Sequence, residues 1–193
     1  MLPKRLLVRV QPPQGLGEYR VVSIGKNVII GNEVYTNSIV FKKRKELAHK
    51  KLKVGFTCGA FDILHAGHVL MLKEAKNVCD YLVVGVQSDP SIDRSEKNAP
   101  IQSYEERIIT TKAIRYVDEI LLYDTESDLI ELLKNLNPDV RILGSDWEGK
   151  HYTGYELPIE SHFNKRDHSW SSSSLRRRIF IAELSPNEPY EMT

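Results

Sequence analysis

The sequence predicts an α/β protein, a doubly wound parallel sheet preceded by a small β-rich extension. Three observations carry this. Short apolar runs recur from Val54 onward, and segments of helical period separate them. The run Tyr81–Val86 is apolar almost throughout rather than alternating, as in a strand covered on both faces. Residues before Lys53 instead show short β-type runs broken by Pro and Gly.

In chain order, the extension carries β-type runs at Leu6–Val10, Tyr19–Ile24, Val28–Ile30 and Ser38–Phe41. Pro12, Pro13, Gly15, Gly17, Gly25 and Gly31 punctuate them. A basic run follows, Lys42-Lys43-Arg44-Lys45 and then Lys50, Lys51 and Lys53, which reads as a solvated linker or short helix. Residues 1–52 are thus expected to form an extension and linker, and 53–193 the main domain.

Within that domain Val54–Cys58 is the first expected strand and Val69–Ala75 the first helix. Tyr81–Val86 is the second strand. Tyr104–Tyr116 is the next helix, with Ser103 and Glu106 in the S-x-x-E spacing of a capping box. Glu119–Tyr123 is a strand and Asp128–Leu136 a helix that Asn137-Pro138 stops. Val140–Leu143 and Ile159–Phe163 complete the strands, and Ser172–Ile179 is the final helix. Strand–helix repetition of this kind builds a parallel sheet covered on both faces, with ligands beyond the C-terminal strand ends.

Bulk composition excludes several classes. The 193 residues carry a formal net charge of +1, which argues against broad nucleic-acid binding. Two cysteines, Cys58 and Cys79, give no disulfide framework and fit a reducing compartment. No apolar run approaches the roughly 20 residues of a membrane span, and no signal peptide is read. A soluble, cytoplasmic protein is expected.

Chemistry is expected just after the strands. Gly59-Ala60-Phe61-Asp62-Ile63-Leu64-His65-Ala66-Gly67-His68 follows the first strand and opens the first helix. A helix N-terminus offers unpaired N–H groups and the positive end of a dipole, both suited to phosphate. His65 and His68, three apart, share one side of the first turn and can donate to phosphate oxygens as charge develops. Gly67 leaves room for an anion to approach the backbone. A zinc site would need further ligands that the cysteines are poorly placed to give. Gly144-Ser145-Asp146-Trp147-Glu148-Gly149-Lys150 mimics a P-loop, but His151 stands where Ser or Thr must follow. Arg166-Asp167-His168-Ser169-Trp170-Ser171-Ser172 opens the last helix with hydroxyls that can cap it or bind phosphate. The polar loop Ser88–Lys97 offers Arg94 and Lys97 as candidate cations, and Arg107 follows on the next helix as a candidate pocket residue.

Cys58 to His68 (CGAFDILHAGH) resembles the signature of the HxGH nucleotidyltransferase superfamily. More closely, residues 53–180 resemble the glycerol-3-phosphate and choline-phosphate cytidylyltransferases. The run at 144–150 matches every fixed position of their G-x-D-W-x-G-K pattern, and 166–173 is similar to R-T-x-G-I-S-T-T. Ala60 stands where the family usually has Thr, Ser169 replaces Gly and Trp170 replaces Ile.

The resemblance implies a Rossmann-like fold with a five-stranded parallel sheet. It implies catalytic roles for His65 and His68, with Arg94 or Lys97 at the reacting phosphates. Nucleotide contacts are implied for Cys58, Gly59, Ala60, Phe61, Asp62, Gly67, Gly144, Asp146, Trp147, Arg166, Ser171 and Ser172. Substrate contacts are implied for Lys97, Arg107, Asp146 and Trp147. The activity implied is transfer of CMP from CTP to an alcohol phosphate, glycerol 3-phosphate on the nearest motif match, with release of pyrophosphate. Mg²⁺ is expected to accompany the triphosphate, with no dedicated metal ligands, and a homodimer is the family expectation. The HxGH site alone does not separate CTP from ATP, so an adenylyltransferase using ATP and a phosphorylated small molecule, for example pantetheine phosphate or a sugar phosphate, is the alternative. A non-catalytic nucleotide-binding scaffold and a nucleic-acid module built on the basic run are the contrasting readings.

Overall fold

The computed structural model describes residues 21–24, 27–30 and 33–184. The expected run Leu6–Val10 and the turn residues Pro12, Pro13, Gly15, Gly17, Gly25 and Gly31 lie outside the described residues. Three short strands, β1 (Val21–Ile24), β2 (Asn27–Ile30) and β3 (Glu33–Tyr35), form an antiparallel sheet in the order β1-β2-β3. Val28, Ile30 and Tyr35 are buried and join the main core.

The run Ser38–Phe41 is not a strand. It lies in helix α1 (Asn37–His49), which also holds most of the basic run. Isolated β-branched residues there suggest extended backbone, but tertiary contact decides otherwise. Val40 and Leu47, seven apart, share a face and are buried, while Lys42, Lys43 and Lys45 point to solvent. Asn37 fixes the helix in place. Its Nδ2 donates to the Leu122 carbonyl (2.7 Å) and its Oδ1 accepts from the Leu122 N–H (2.8 Å). One side chain thus pairs the exposed backbone of a sheet edge.

The main sheet contains β4 (Val54–Gly59), β5 (Tyr81–Gln87), β6 (Glu119–Tyr123), β7 (Val140–Gly144) and β8 (Glu160–Asn164). Their order is β6-β5-β4-β7-β8, and every pairing is parallel. Helices α2 (Ala66–Asn77), α3 (Tyr104–Lys112), α4 (Glu126–Leu136) and α5 (Ser172–Leu184) follow β4, β5, β6 and β8. Strand alternation divides the core in two. Leu82, Val84, Val86, Ile120 and Leu122 pack with Leu72 and Ala75 of α2 and Ile108 of α3. Val54, Phe56, Val83 and Leu121 pack with α1 and with Leu129, Leu132, Leu133 and Leu136 of α4. Fully burying each such side chain contributes about 1.5–3 kcal/mol.

The doubly wound parallel sheet is as the sequence predicts. The helix expected to reach Tyr116 stops at Lys112, capped at Ala113. Chain order reverses between β4 and β7, and the crevice of such a sheet opens there, beyond the C-terminal strand ends.

Candidate active site

The segment leaving β4 is held in a conformation that side chains resist. Phe61 and Ile63 both have positive φ (51° and 48°), which for a β-branched residue such as Ile63 is a strained state. The surrounding bonds over-determine it. Asp62 Oδ1 accepts from the N–H groups of Ile101 (3.0 Å) and Gln102 (2.9 Å), and its Oδ2 pairs with Arg176. Ile63 N–H donates to Gln102 Oε1 (2.7 Å). Burial opposes ionisation of Asp62, but these donors outweigh it and hold the carboxyl below its usual range. Asp62 therefore shapes the loop rather than presenting charge to a ligand.

This loop delivers two imidazoles to the start of α2. His65 is the N-cap, and its Nδ1 accepts from Gly67 N–H (3.1 Å). His68 Nδ1 accepts from His65 N–H (3.3 Å), closing a reciprocal capping box made of two histidines. The rings lie 4.0 Å apart between centroids, tilted by 34°. Burial lowers both pKa values. His65 is further lowered by the charges of His168, Arg166 and Arg178, and His68 falls to about 4 through burial and then His65. Both rings are thus neutral at pH 7. With each Nδ1 accepting a backbone N–H, the ring proton resides on Nε2. The pair is a set of two fixed, uncharged donors.

His68 titration couples to stability, and the sign follows from its depressed pKa. Above the unfolded value of about 6.5 it contributes nothing; as pH falls from there to about 4, the unfolded chain gains protons that the folded chain refuses. Chemical denaturation of the ligand-free protein should show stability falling across pH 6.5 to 4, by up to about 3 kcal/mol from this group. His68→Phe should flatten that window.

A cavity of about 260 Å³ opens in front of these rings. His65, Gly67, His68 and Met71 form one wall, Gly144 and Asp146 a second, and Asn164, Lys165, Arg166, His168, Trp170, Ser171 and Ser172 the rest. The N-terminus of α5 meets that of α2 here. Ser171 Oγ accepts from Ser174 N–H (3.1 Å), and Ser172 Oγ donates to the Asp62 carbonyl (3.1 Å), 3.3 Å from His65 Nε2. Arg166 pairs with Asp146 (3.2 Å), but both side chains are largely exposed, so the bond can open at little cost. Gly67 is fully packed: a Cβ there would lie 2.8 Å from His168 Cε1 and 2.9 Å from His65 Cε1. The space expected for an anion at Gly67 is filled by imidazole.

The cavity therefore brings together His65, His68, Gly67, Gly144, Asp146, Arg166, Ser171 and Ser172. Other residues singled out in the sequence lie elsewhere. Arg107 is 1% exposed and is no pocket residue. Its guanidinium donates to the carbonyls of Gln102 (3.2 Å), Ala60 (2.7 Å), Gln87 (2.6 Å) and Ser88, tying the ends of β4 and β5 to the start of α3. Arg94 donates to Gln87 Oε1 (2.9 Å) and pairs with Glu126 (3.3 Å), away from the cavity lining. Lys97 is exposed on the same loop.

Cys58 packs with the α1–α4 core, and burial raises its thiol pKa. Gly59 and Ala60 act through backbone, Phe61 is buried, and Trp147 is 40% exposed on a 3-10 turn (Ser145–Trp147) outside the lining. Sequence reasoning assigned no role to Met71, Asn164, Lys165, His168 or Trp170. His168 and Trp170 fall within a motif already singled out; Met71 and Asn164 give no local signal.

Residues 56–179 match the family model described as cytidylyltransferase-like. The bifunctional protein HldE of Helicobacter pylori (strain HPAG1) is 32% identical over 161 residues, 82% of this chain and 35% of that protein. The bifunctional protein HldE of Wolinella succinogenes is 38% identical over 128 residues, 66% of this chain and 27% of that protein. The chain spans about a third of the length of these curated relatives. Among solved structures, the lipopolysaccharide core biosynthesis protein from Thermoplasma volcanium GSS1 is 29% identical with a TM-score of 0.50, covering 60% of this chain and 99% of that one.

Proposed function

Because the chain belongs to the cytidylyltransferase-like family of nucleotidyltransferases, we propose that it transfers AMP from ATP to the phosphate of a phosphorylated sugar. The observation that carries the reaction type is the pair of neutral imidazoles lining the cavity at two converging helix N-termini, with His65 Nε2 resting 3.3 Å from Ser172 Oγ. A phosphate oxygen of the acceptor attacks the α-phosphorus of the triphosphate. The bond to the bridging oxygen breaks, and pyrophosphate leaves with its electron pair. The acceptor phosphate is already a nucleophile near neutral pH, so no side chain need remove a proton. The protein's contribution is alignment and stabilisation of charge on the phosphoryl oxygens. His65 and His68 donate to those oxygens without the cost of carrying charge themselves. Ser171, Ser172 and the start of α5 receive the leaving phosphates. Arg166 and Lys165, which line the cavity, supply the positive charge that the sequence assigns to Arg94 and Lys97.

The lining fits Mg²⁺ brought in on the triphosphate. Its one carboxylate is Asp146 on the rim, and among the described residues no group of three or more His, Cys, Asp or Glu could hold a metal. The ion would offset triphosphate charge when bound, with Asp146 placed to meet it.

The choice of ATP and a sugar phosphate rests on the relatives. The proteins named HldE and the lipopolysaccharide core protein support it over CMP transfer to glycerol 3-phosphate, since the core of a lipopolysaccharide is carbohydrate. The run Gly144–Lys150, matching the cytidylyltransferase pattern, favours the second reading, CTP with an alcohol phosphate. One panel separates them: pyrophosphate release with ATP, CTP, GTP and UTP against hexose and heptose phosphates, glycerol 3-phosphate and choline phosphate. Release is expected with ATP and a sugar phosphate. Release confined to CTP and an alcohol phosphate would establish the second reading instead.

A further inference from the structure

The cavity floor holds an anomaly that phosphate binding does not explain. Asn164, the last residue of β8, is 2% exposed and lines the cavity. Its Nδ2 donates to the Met71 carbonyl (3.0 Å). Its Oδ1 is buried and has no hydrogen-bond partner among the described residues. A buried acceptor left unpaired costs about 1–3 kcal/mol. Met71 lies within α2, where the residue four positions on donates to its carbonyl, so the Asn164 bond is not needed to satisfy it. For stability alone, leucine, which has nearly the same shape, would serve this position as well or better. Asparagine stands here against that gradient.

Most other polar side chains of the lining can donate to an anion: three histidines, Lys165, Arg166 and two serines carry N–H or O–H groups, and Asp146 on the rim is the one carboxylate. Asn164 Oδ1 is thus an acceptor in a donor-rich cavity, and it calls for an N–H on the ligand. Its surroundings are apolar or flat. Met71 lies beside it, and the Trp170 ring, stacked on His168 (5.3 Å, 28°), is 46% exposed along the same cavity. A thioether and an indole face suit a planar ring, and stacking of a base on an aromatic contributes about 1–3 kcal/mol.

Building on the nucleotide reading above, we propose that Asn164 selects the nucleobase by accepting from an exocyclic amine, with Met71 and Trp170 as the walls of the base slot. Adenine and cytosine carry that amine. Hypoxanthine and uracil carry a carbonyl at the same place, which would face Oδ1 lone pair to lone pair. Asn164 is then a specificity residue.

The test compares amino and keto partners, ATP with ITP and CTP with UTP, by nucleotide binding and by kcat/KM for pyrophosphate release. The wild type should favour the amino member of the pair it uses by about 10- to 100-fold, in the range of one well-made polar contact. Asn164→Leu should fold with an unchanged or higher Tm and lose that preference, with most of the effect in KM. 2′-Deoxy-ATP should behave as ATP does. Equal use of ATP and ITP by the wild type would overturn the proposal. So would a preference that survives in Asn164→Leu, a loss seen instead with 2′-deoxy-ATP, or a leucine variant that fails to fold. Failure of the wild type to bind any triphosphate would remove the nucleotide reading itself, a separate outcome from a nucleotide bound without amine preference.

Discussion

Arg107→Met should destabilise the protein by about 3–5 kcal/mol, a large fraction of the roughly 5–15 kcal/mol that keeps an ordinary domain folded. The guanidinium is almost wholly buried and has no carboxylate partner in its bond set. It spends its donors on four backbone carbonyls from three separate segments. Burial lowers its pKa, yet arginine remains charged at any working pH. Methionine would fill much of the volume but leave those carbonyls facing each other in a dry interior. Arg107→Lys should recover only part of the loss, because an ammonium cannot reproduce the planar fork. Urea denaturation reads this directly as a lower midpoint at unchanged m-value. A loss under 1 kcal/mol would mean that the network does not hold the strand ends together. The consequence for function is indirect: Ala60, one of the tethered carbonyls, sits directly before the strained loop that delivers His65 and His68.

The second large effect is on rate. His68→Ala should lower kcat by about 10²–10³-fold, the usual consequence of deleting one fixed donor to a developing oxyanion. It also removes a helix cap, which costs about 1 kcal/mol, so the folded fraction must be checked alongside. The two consequences separate cleanly. A cap loss shifts Tm and leaves kcat per folded molecule intact, whereas loss of the Nε2–H donor lowers kcat in fully folded protein. His65→Ala should behave alike, with an added disturbance of Ser172, which contacts its Nε2.

Much of this architecture is legible in the chain because local and tertiary signals agree. The strand Glu119–Tyr123 appears as expected, and the Ser103/Glu106 capping box forms both its bonds. His65 and His68 are legible because spacing of three at a strand-to-helix junction leaves few geometric options. Misreadings arise where distant partners decide. Ile39, Val40 and Phe41 look extended on local preference, but α1 is fixed by Asn37 against Leu122 and by burial of Val40 and Leu47. Arg107 looks like a ligand-binding cation because arginine beside a phosphate site usually is one. Nothing local reveals that four main-chain carbonyls, two of them from strand β5 and the loop after it, converge on it. Asn164 is the extreme case. Its importance lies in an atom with no partner, and sequence patterns report only residues, not unsatisfied atoms.

The central claim is that the cavity bounded by His65, His68 and the start of α5 performs nucleotidyl transfer through neutral imidazole donors. The most direct measurement is single-turnover transfer from α-³²P-labelled ATP to a sugar phosphate, in wild type and His68→Ala, each confirmed folded by circular dichroism. The expected result is a labelled nucleotide–sugar product with pyrophosphate release in the wild type, and transfer slowed by about 10²–10³-fold in the variant. Equal rates in the two proteins, or no transfer from any nucleoside triphosphate to any phosphate ester by folded wild type, would contradict it.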